Sequence, residues 1–312
     1  MNRRKLLQTS AALVLVSAVA SLEGFKLFAR AGTPKIKGDT DNNPPAPPSN
    51  PLVPPAHGGI NVAFPISDGA VIIDFCGPWE VFQDTAVPGS MESAFHLYTV
   101  AETLQPITAS GGMQIVPRYT FETAPAPKVI VIPAQQSNEA MRQWIRKSTK
   151  TTDVTMSVCT GAFVLASTGL LSGKSATTFH AAFAEFEAQF PDIHLKRGAR
   201  FVEDGNLASS GGLSSGIDLA FRVIERYYGR AAAERTAYNI EYQGKGWMNA
   251  DSNEIYAKPL AASADGQPLC PVCGMDADHT ISSLYKGKTY YFCMPPHKQL
   301  FDATPQKFAN PS

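Results

Sequence analysis

The sequence predicts an α/β layered fold built on a parallel sheet, extended by a small cysteine-bearing module near its C-terminal end. Three observations carry this. Apolar, β-rich runs alternate with helical segments from residue 59 to about residue 246. Those runs are nearly continuous in apolar residues, as expected of strands covered on both faces and therefore paired in parallel. A cysteine, Cys159, stands where a buried strand meets the start of an apolar helix, at the carboxyl end of a strand, where open α/β sheets collect their chemistry.

The chain opens with Arg3-Arg4-Lys5, an apolar run over residues 6–20 and the small-residue site Ala29-Arg30-Ala31. Residues 1–31 thus read as a signal peptide. Paired arginines followed by Leu6-Leu7 resemble a twin-arginine signal, the kind that exports folded proteins. The apolar run is shorter than the ~20 residues a membrane span needs, so cleavage is expected rather than a retained anchor, and the mature protein is expected in the periplasm. Residues 32–58 hold PPAPPSNPLVPP, a semi-rigid spacer with no core of its own.

Within the α/β domain (59–246), strands are expected at 60–66, 71–75, 95–101, 128–132 and 153–158, with helices at 77–83, 138–147, 181–190 and 217–228. A further strand at 205–209 leads into Gly211-Gly212-Leu213-Ser214-Ser215-Gly216. That turn lacks the spacing of a Walker or dinucleotide fingerprint, which argues against nucleotide binding. The 27 basic and 27 acidic residues cancel, and no basic stripe is visible, which argues against nucleic acid as a partner.

In the stretch TMSVCTGAFVLASTGLL (155–171), Cys159 lies beside the free N–H groups of the following helix. Their positive end is expected to favour thiolate over thiol. A thiolate adds to electrophilic carbon, and a nearby carboxyl can move the proton. Asp74, closing the run VIIDF, is the candidate acid, with a helix cap at 77 as its plainer alternative. Backbone N–H groups at Ala134, Gln135 and Thr160 are candidates to stabilise developing charge. Cys76 reads as a packed residue or as a resolving thiol for Cys159.

DFCGPWEVF, SVCTGAFVLASTGLLSGKSATT and GNLASSGGLSSGIDLAFRVIE resemble the ThiJ/PfpI superfamily of class I glutamine-amidotransferase-like domains, above all its isonitrile hydratase branch. The resemblance implies a flavodoxin-like sandwich, a homodimer, no cofactor in this domain and a small-molecule substrate. It places Cys159 on a strained turn, gives Asp74 the role of catalytic acid, follows the nucleophile with Thr160, and offers Glu80 either as a protonated partner of the thiol or as a solvent-facing residue. Two departures stand out. Ala134-Gln135 occupies a place where a glycine pair is common, so side chains are expected to intrude on the pocket. Phe179 stands where a histidine often follows ATT, leaving His180 one position late. The same fold also serves as the ligand-sensing half of AraC-type regulators.

After a polar linker (247–267), the tail carries Cys270, Cys273, Cys293 and His297. Cys270 and Cys273 have the knuckle spacing of a thiolate metal site, and Cys293 and His297 are one helical turn apart. A hairpin turning at Lys286-Gly287 separates the pairs. CPVCGM, YKGKTYYFC and HKQLFDATPQKF resemble the YHS domain, a small module linked to heavy-metal binding, over residues 268–310. That resemblance maps ligands onto Cys273, Cys293 and His297. Soft thiolates suit zinc or copper(I); a Cys270–Cys273 or Cys273–Cys293 disulfide is the alternative outside the cytoplasm.

The expectation is an exported, cysteine-dependent, isonitrile-hydratase-like enzyme with a metal-binding tail. Alternatives are a non-enzymatic metal or redox sensor, and a glyoxalase-like or protease-like activity on the same nucleophile.

Overall fold

A seven-stranded, mostly parallel sheet organises the chain between residues 60 and 210. The computed structural model describes residues 49–309, apart from 57, 261 and 264; the leader at 1–31 and most of the proline-rich spacer lie outside the described residues. The strands are β1 (Ile60–Pro65), β2 (Phe95–Ala101), β3 (Tyr119–Thr120), β4 (Val129–Ile132), β5 (Val154–Val158), β6 (Phe201–Asp204) and β7 (Leu207–Ser210). Their spatial order is β6-β7-β5-β4-β1-β2-β3. Each pairing is parallel except that of β6 with β7.

Both faces of the sheet are covered, which is why β4 and β5 are buried at every position and read as continuous apolar runs. On one face, α1 (Ile72–Gln83) and α5 (Ser215–Tyr228) close a core around Phe64, Phe82, Val131, Met156 and Phe221. The other face is covered by α2 (Glu139–Thr149) and α3 (Gly161–Ser167), with Ile130, Ile132, Trp144, Ile145 and Leu165 inside. The Asn138 side chain caps α2 by accepting from the Met141 N–H at 2.9 Å, satisfying one of the orphan donors of the first turn.

Residues 71–75, expected as a strand, form the entry to α1 instead. The local β-branched pattern of Val71-Ile72-Ile73 is overridden because Phe75, Pro78, Val81 and Phe82 are buried at helical spacing. Gly77 sits at the closest approach of α1 and α5: a Cβ there would stand 2.8 Å from the Ile217 side chain. The expected helix at 181–190 divides into a short 3₁₀ turn, His180–Ala182, and α4 (Phe183–Gln189). After α5 comes α6 (Arg230–Asn239).

The polar stretch expected as a linker is fastened to the α/β domain over its first ten residues. Trp247 is buried and its N–H donates to the Asp218 carboxylate at 3.0 Å, while Arg200 donates to Asn253 at 3.1 Å. The end of the spacer is held as well: Arg226 donates to the Asn50 carbonyl and accepts from the Leu52 N–H, both at 2.7 Å.

The tail module is a hairpin, β8 (Asp278–Tyr285) and β9 (Lys288–Phe292), followed by α7 (Pro295–Ala303). Lys286 and Gly287 take φ of 50° and 78°, the pair of positive angles of a tight type I′ turn whose twist matches the strands. Its small core, Val272, Phe292 and Phe301, is continuous with Ala181 and Ala184 of the α/β domain. Among the described residues, no helix is long and apolar enough to cross a membrane.

Candidate active site and metal centre

Cys159 follows β5 directly and precedes α3, with φ of 57°. A non-glycine residue in this left-handed region is strained by on the order of 1–3 kcal/mol, a cost that persists only where the surroundings fix the backbone. They do so on several sides. The Cys159 N–H donates to the Gly211 carbonyl at 3.1 Å, and its own carbonyl accepts from the Thr178 hydroxyl at 2.9 Å. Gly161 lies so close beneath β4 that a Cβ would stand 2.3 Å from the Ile132 carbonyl oxygen. Any larger residue would push the turn away from the sheet.

Asp74 reaches the same place from the first turn of α1. It is wholly buried; Oδ2 accepts the Ala134 N–H at 3.0 Å, and Oδ1 has no hydrogen-bond partner. Burial pushes its carboxyl up to about 7, against the single backbone bond that lowers it. Near neutrality Asp74 is therefore poised between acid and carboxylate, the range suited to proton transfer.

The same burial overturns the thiolate expectation for Cys159. Desolvation, reinforced by the nearby Asp74 carboxylate, pushes the thiol up to about 11. The N–H groups of Leu213 and Thr160 and the Thr160 hydroxyl pull the other way without prevailing. At neutral pH Cys159 is thus held as a thiol, surrounded by donors that would strengthen if negative charge reached sulfur.

Each remaining candidate has a definite place. Thr160 stands at the N-cap of α3 beside the sulfur. Ala134 spends its N–H on Asp74, which leaves that group as a holder of the acid. Gln135 turns its side chain toward the β1 loop, donating to the Pro65 carbonyl at 2.8 Å and accepting from the Ser67 N–H at 2.7 Å. It braces that loop. Glu80 is exposed on α1 and accepts from Gln83 at 3.1 Å; its charge is felt by Cys76, whose half-buried thiol is raised first by burial and then by Glu80. His180 stacks on Tyr256 with centroids 5.0 Å apart, and burial lowers its pKa. The residue from this segment that touches the cysteine turn is Thr178, and the glycine-rich turn contributes Gly211 and Leu213. Sequence reading passed over Thr178 and Leu213; the signal for the latter was the crowding of glycines in GGLSSG, which marks close backbone approach.

In the tail, the ligand atoms of Cys270, Cys273, Cys293 and His297 all lie within 4.8 Å of one another. Cys293 Sγ is 3.1 Å from His297 Nδ1, Cys270 Sγ is 3.6 Å from the same nitrogen, and the Cys273 and Cys293 sulfurs are 3.5 Å apart. The three tail cysteines are free thiols rather than the disulfide of the alternative reading. Ligands around tetrahedral zinc with Zn–S bonds of ~2.3 Å stand roughly 3.8 Å apart, so the cluster needs little rearrangement to hold one ion. Bonds from Cys273 and His297 hold the Cys270 thiol below its ordinary range, while the pairing with Cys270 and burial push Cys273 up.

The fold is an α/β sandwich that sets a cysteine on a strained strand-to-helix turn, at the carboxyl edge of a parallel sheet and beside a buried acid. Residues 60–226 match the DJ-1/PfpI family, and the chain belongs to it. It is 33% identical over 176 residues to isonitrile hydratase of Pseudomonas putida, covering 54% of this chain and 73% of that protein. It is also 27% identical over 129 residues to the HTH-type transcriptional regulator CdhR of Pseudomonas aeruginosa, covering 40% of this chain and 38% of that one. Among solved structures, a ThiJ/PfpI family protein from Pseudomonas syringae is similar at a TM-score of 0.53 and 25% identity, over 60% of this chain and 77% of that chain.

Proposed function

We propose that the protein is an exported isonitrile-hydratase-like enzyme in which Cys159 is the nucleophile and Asp74 the proton carrier, with a YHS-like tail that holds a zinc or copper(I) ion. The observation that carries the reading is the pairing of a buried acid at about 7 with a strained thiol at about 11. Two titrating groups pushed to separate values in one site are suited to separate acid and nucleophile roles. Similarity to isonitrile hydratase supports the substrate class.

The steps balance without an outside reagent. The carboxyl of Asp74 gives its proton to the terminal carbon of R–N≡C as the Cys159 sulfur bonds to that carbon. The thiol proton then restores the carboxyl, leaving the thioimidate R–N=CH–S–Cys159. Water adds to the thioimidate carbon while Asp74 passes its proton to nitrogen and takes one from the attacking water. Collapse of R–NH–CH(OH)–S–Cys159 expels the thiol and releases the formamide R–NH–CHO. Charge that builds on sulfur is met by the Leu213 and Thr160 donors. A sensor that works by oxidising Cys159 gains less support, because oxidation follows thiolate character and this thiol is held protonated.

For the tail, the donor set and spacing suit a soft or borderline ion. Such an ion would supply structural cross-linking of the hairpin to α7, and Cys270, Cys273, Cys293 and His297 would hold it. Export and a periplasmic site rest on the leader at residues 1–31, and the homodimer on the resemblance to the family.

The test is formamide production from an aromatic isonitrile by purified protein, beside Cys159→Ala and Asp74→Asn. Turnover in the parent that is lost in both variants supports the reading; turnover that survives Cys159→Ala sinks it.

A further inference from the structure

His297 is 1% exposed, and its two ring nitrogens have unequal surroundings. Nδ1 faces the sulfurs of Cys270 and Cys293. Nε2 is buried with no hydrogen-bond partner, and 3.9 Å away stands Oε1 of Glu185, a residue of α4 in the α/β domain. A buried polar nitrogen without a partner is costly, and an acceptor sits just beyond bonding reach. A histidine that ligates a metal through one nitrogen gives the other N–H to a carboxylate or carbonyl, which fixes the tautomer and strengthens the ligand.

We propose that Glu185 is the outer carboxylate of the tail's Cys₃His site, so that the α/β domain completes a metal centre whose direct ligands all lie in the tail. The inference rests on the metal-binding reading of those four residues. With an ion drawing on Nδ1, the ring donates from Nε2 to Glu185, and closing less than an ångström makes the bond. The surroundings suit such a contact, since Ala181 and Ala184 share the core of Phe292 and Phe301. Glu187, two residues on and on the other side of α4, is engaged differently: it takes Arg197 in a two-pronged pair at 3.0 and 2.8 Å and lies 3.7 Å from Lys307. Metal binding would thereby clamp the tail to the helix that follows Thr178 and Phe179, the segment that supports the Cys159 turn.

Zn²⁺ affinity of the full chain, measured by competition with a chromophoric chelator, tests this with Glu185→Gln, Glu185→Ala and Glu187→Gln. Loss of an outer partner lowers metal affinity by about 10–100-fold. The expected order is a full loss of that size for Glu185→Ala, a smaller one for Glu185→Gln, whose carbonyl still accepts the N–H, and none for Glu187→Gln. An exchange-protected His297 Nε2–H resonance should appear in the zinc-bound parent and vanish in Glu185→Ala. Equal weakening by Glu185→Gln and Glu187→Gln would reduce the effect to bulk charge and overturn the proposal. Unchanged affinity in all three would overturn it while leaving the metal site standing, whereas a parent chain that binds no zinc would remove both.

Discussion

The chain uses cysteine in two regions for opposite ends. At Cys159 a single sulfur sits on a strained backbone next to a buried acid, and both burial and that acid keep its proton on. In the tail three sulfurs on turns and an imidazole on α7 converge within 4.8 Å. The sulfur is the same; its neighbours decide its chemistry. One carboxyl beside one thiol is suited to proton transfer, while several soft donors facing one another are suited to a cation.

Swapping the roles should fail most dramatically at Cys159. Cys159→Ala is expected to bring isonitrile turnover to background, a loss on the order of 10⁴-fold or more if the pair acts as a unit, with zinc content of the tail unchanged on the same sample. Asp74→Asn should cost about 10²–10⁴-fold in kcat/KM, and the parent's kcat/KM should fall as pH rises through about 7, where the acid loses its proton.

The same titration has a stability signature. Asp74 is ordinary in the unfolded chain, at 3.8, and raised in the folded one, so the folded state binds the extra proton between those values. Its contribution is fully present below pH 4 and is lost as pH climbs through 7, by on the order of 4 kcal/mol. Urea titrations of Asp74→Asn should show that slope removed, leaving the variant relatively more stable at pH 8; an identical slope in both proteins would refute the assignment.

In the tail, Cys273→Ser or Cys293→Ser should remove tight zinc binding and lower the protection of β8 and β9 in hydrogen exchange, without touching turnover measured in metal-free buffer. Smaller still, Gly161→Ala should destabilise by about 1–3 kcal/mol through overpacking against the Ile132 carbonyl, read as a shift in Tm. His180→Ala should change kcat/KM least of all, because its ring is committed to Tyr256; a loss as large as that of Asp74→Asn would place a second acid in the site.

Much of this was legible from residue order. Strands β1, β2, β4 and β5 announced themselves by continuous apolar runs, and Lys286-Gly287 announced the tail hairpin. The spacing of the Cys and His residues in the tail was enough to suggest that they meet. Less legible was whatever depended on what packs over a segment. Ile72-Ile73 reads as strand and folds as helix because Phe75, Val81 and Phe82 find a core at helical spacing. The stretch after Gly246 reads as linker and is pinned because Trp247 is buried against α5 and the paired Asp218 and Arg200 also bond Trp247 and Asn253.

Thus the sequence by itself determined the layered α/β class, the turn that carries Cys159, and the four donors of the tail, since periodicity and ligand spacing are local properties. Tertiary structure alone decided the proton states and the partners. Helix-end donors are local and promised a thiolate, but desolvation depends on everything packed around the sulfur, and here it outweighs them. Likewise Thr178 and Glu185 gain their roles only because separate segments are folded against Cys159 and His297, and no spacing within the chain encodes that meeting.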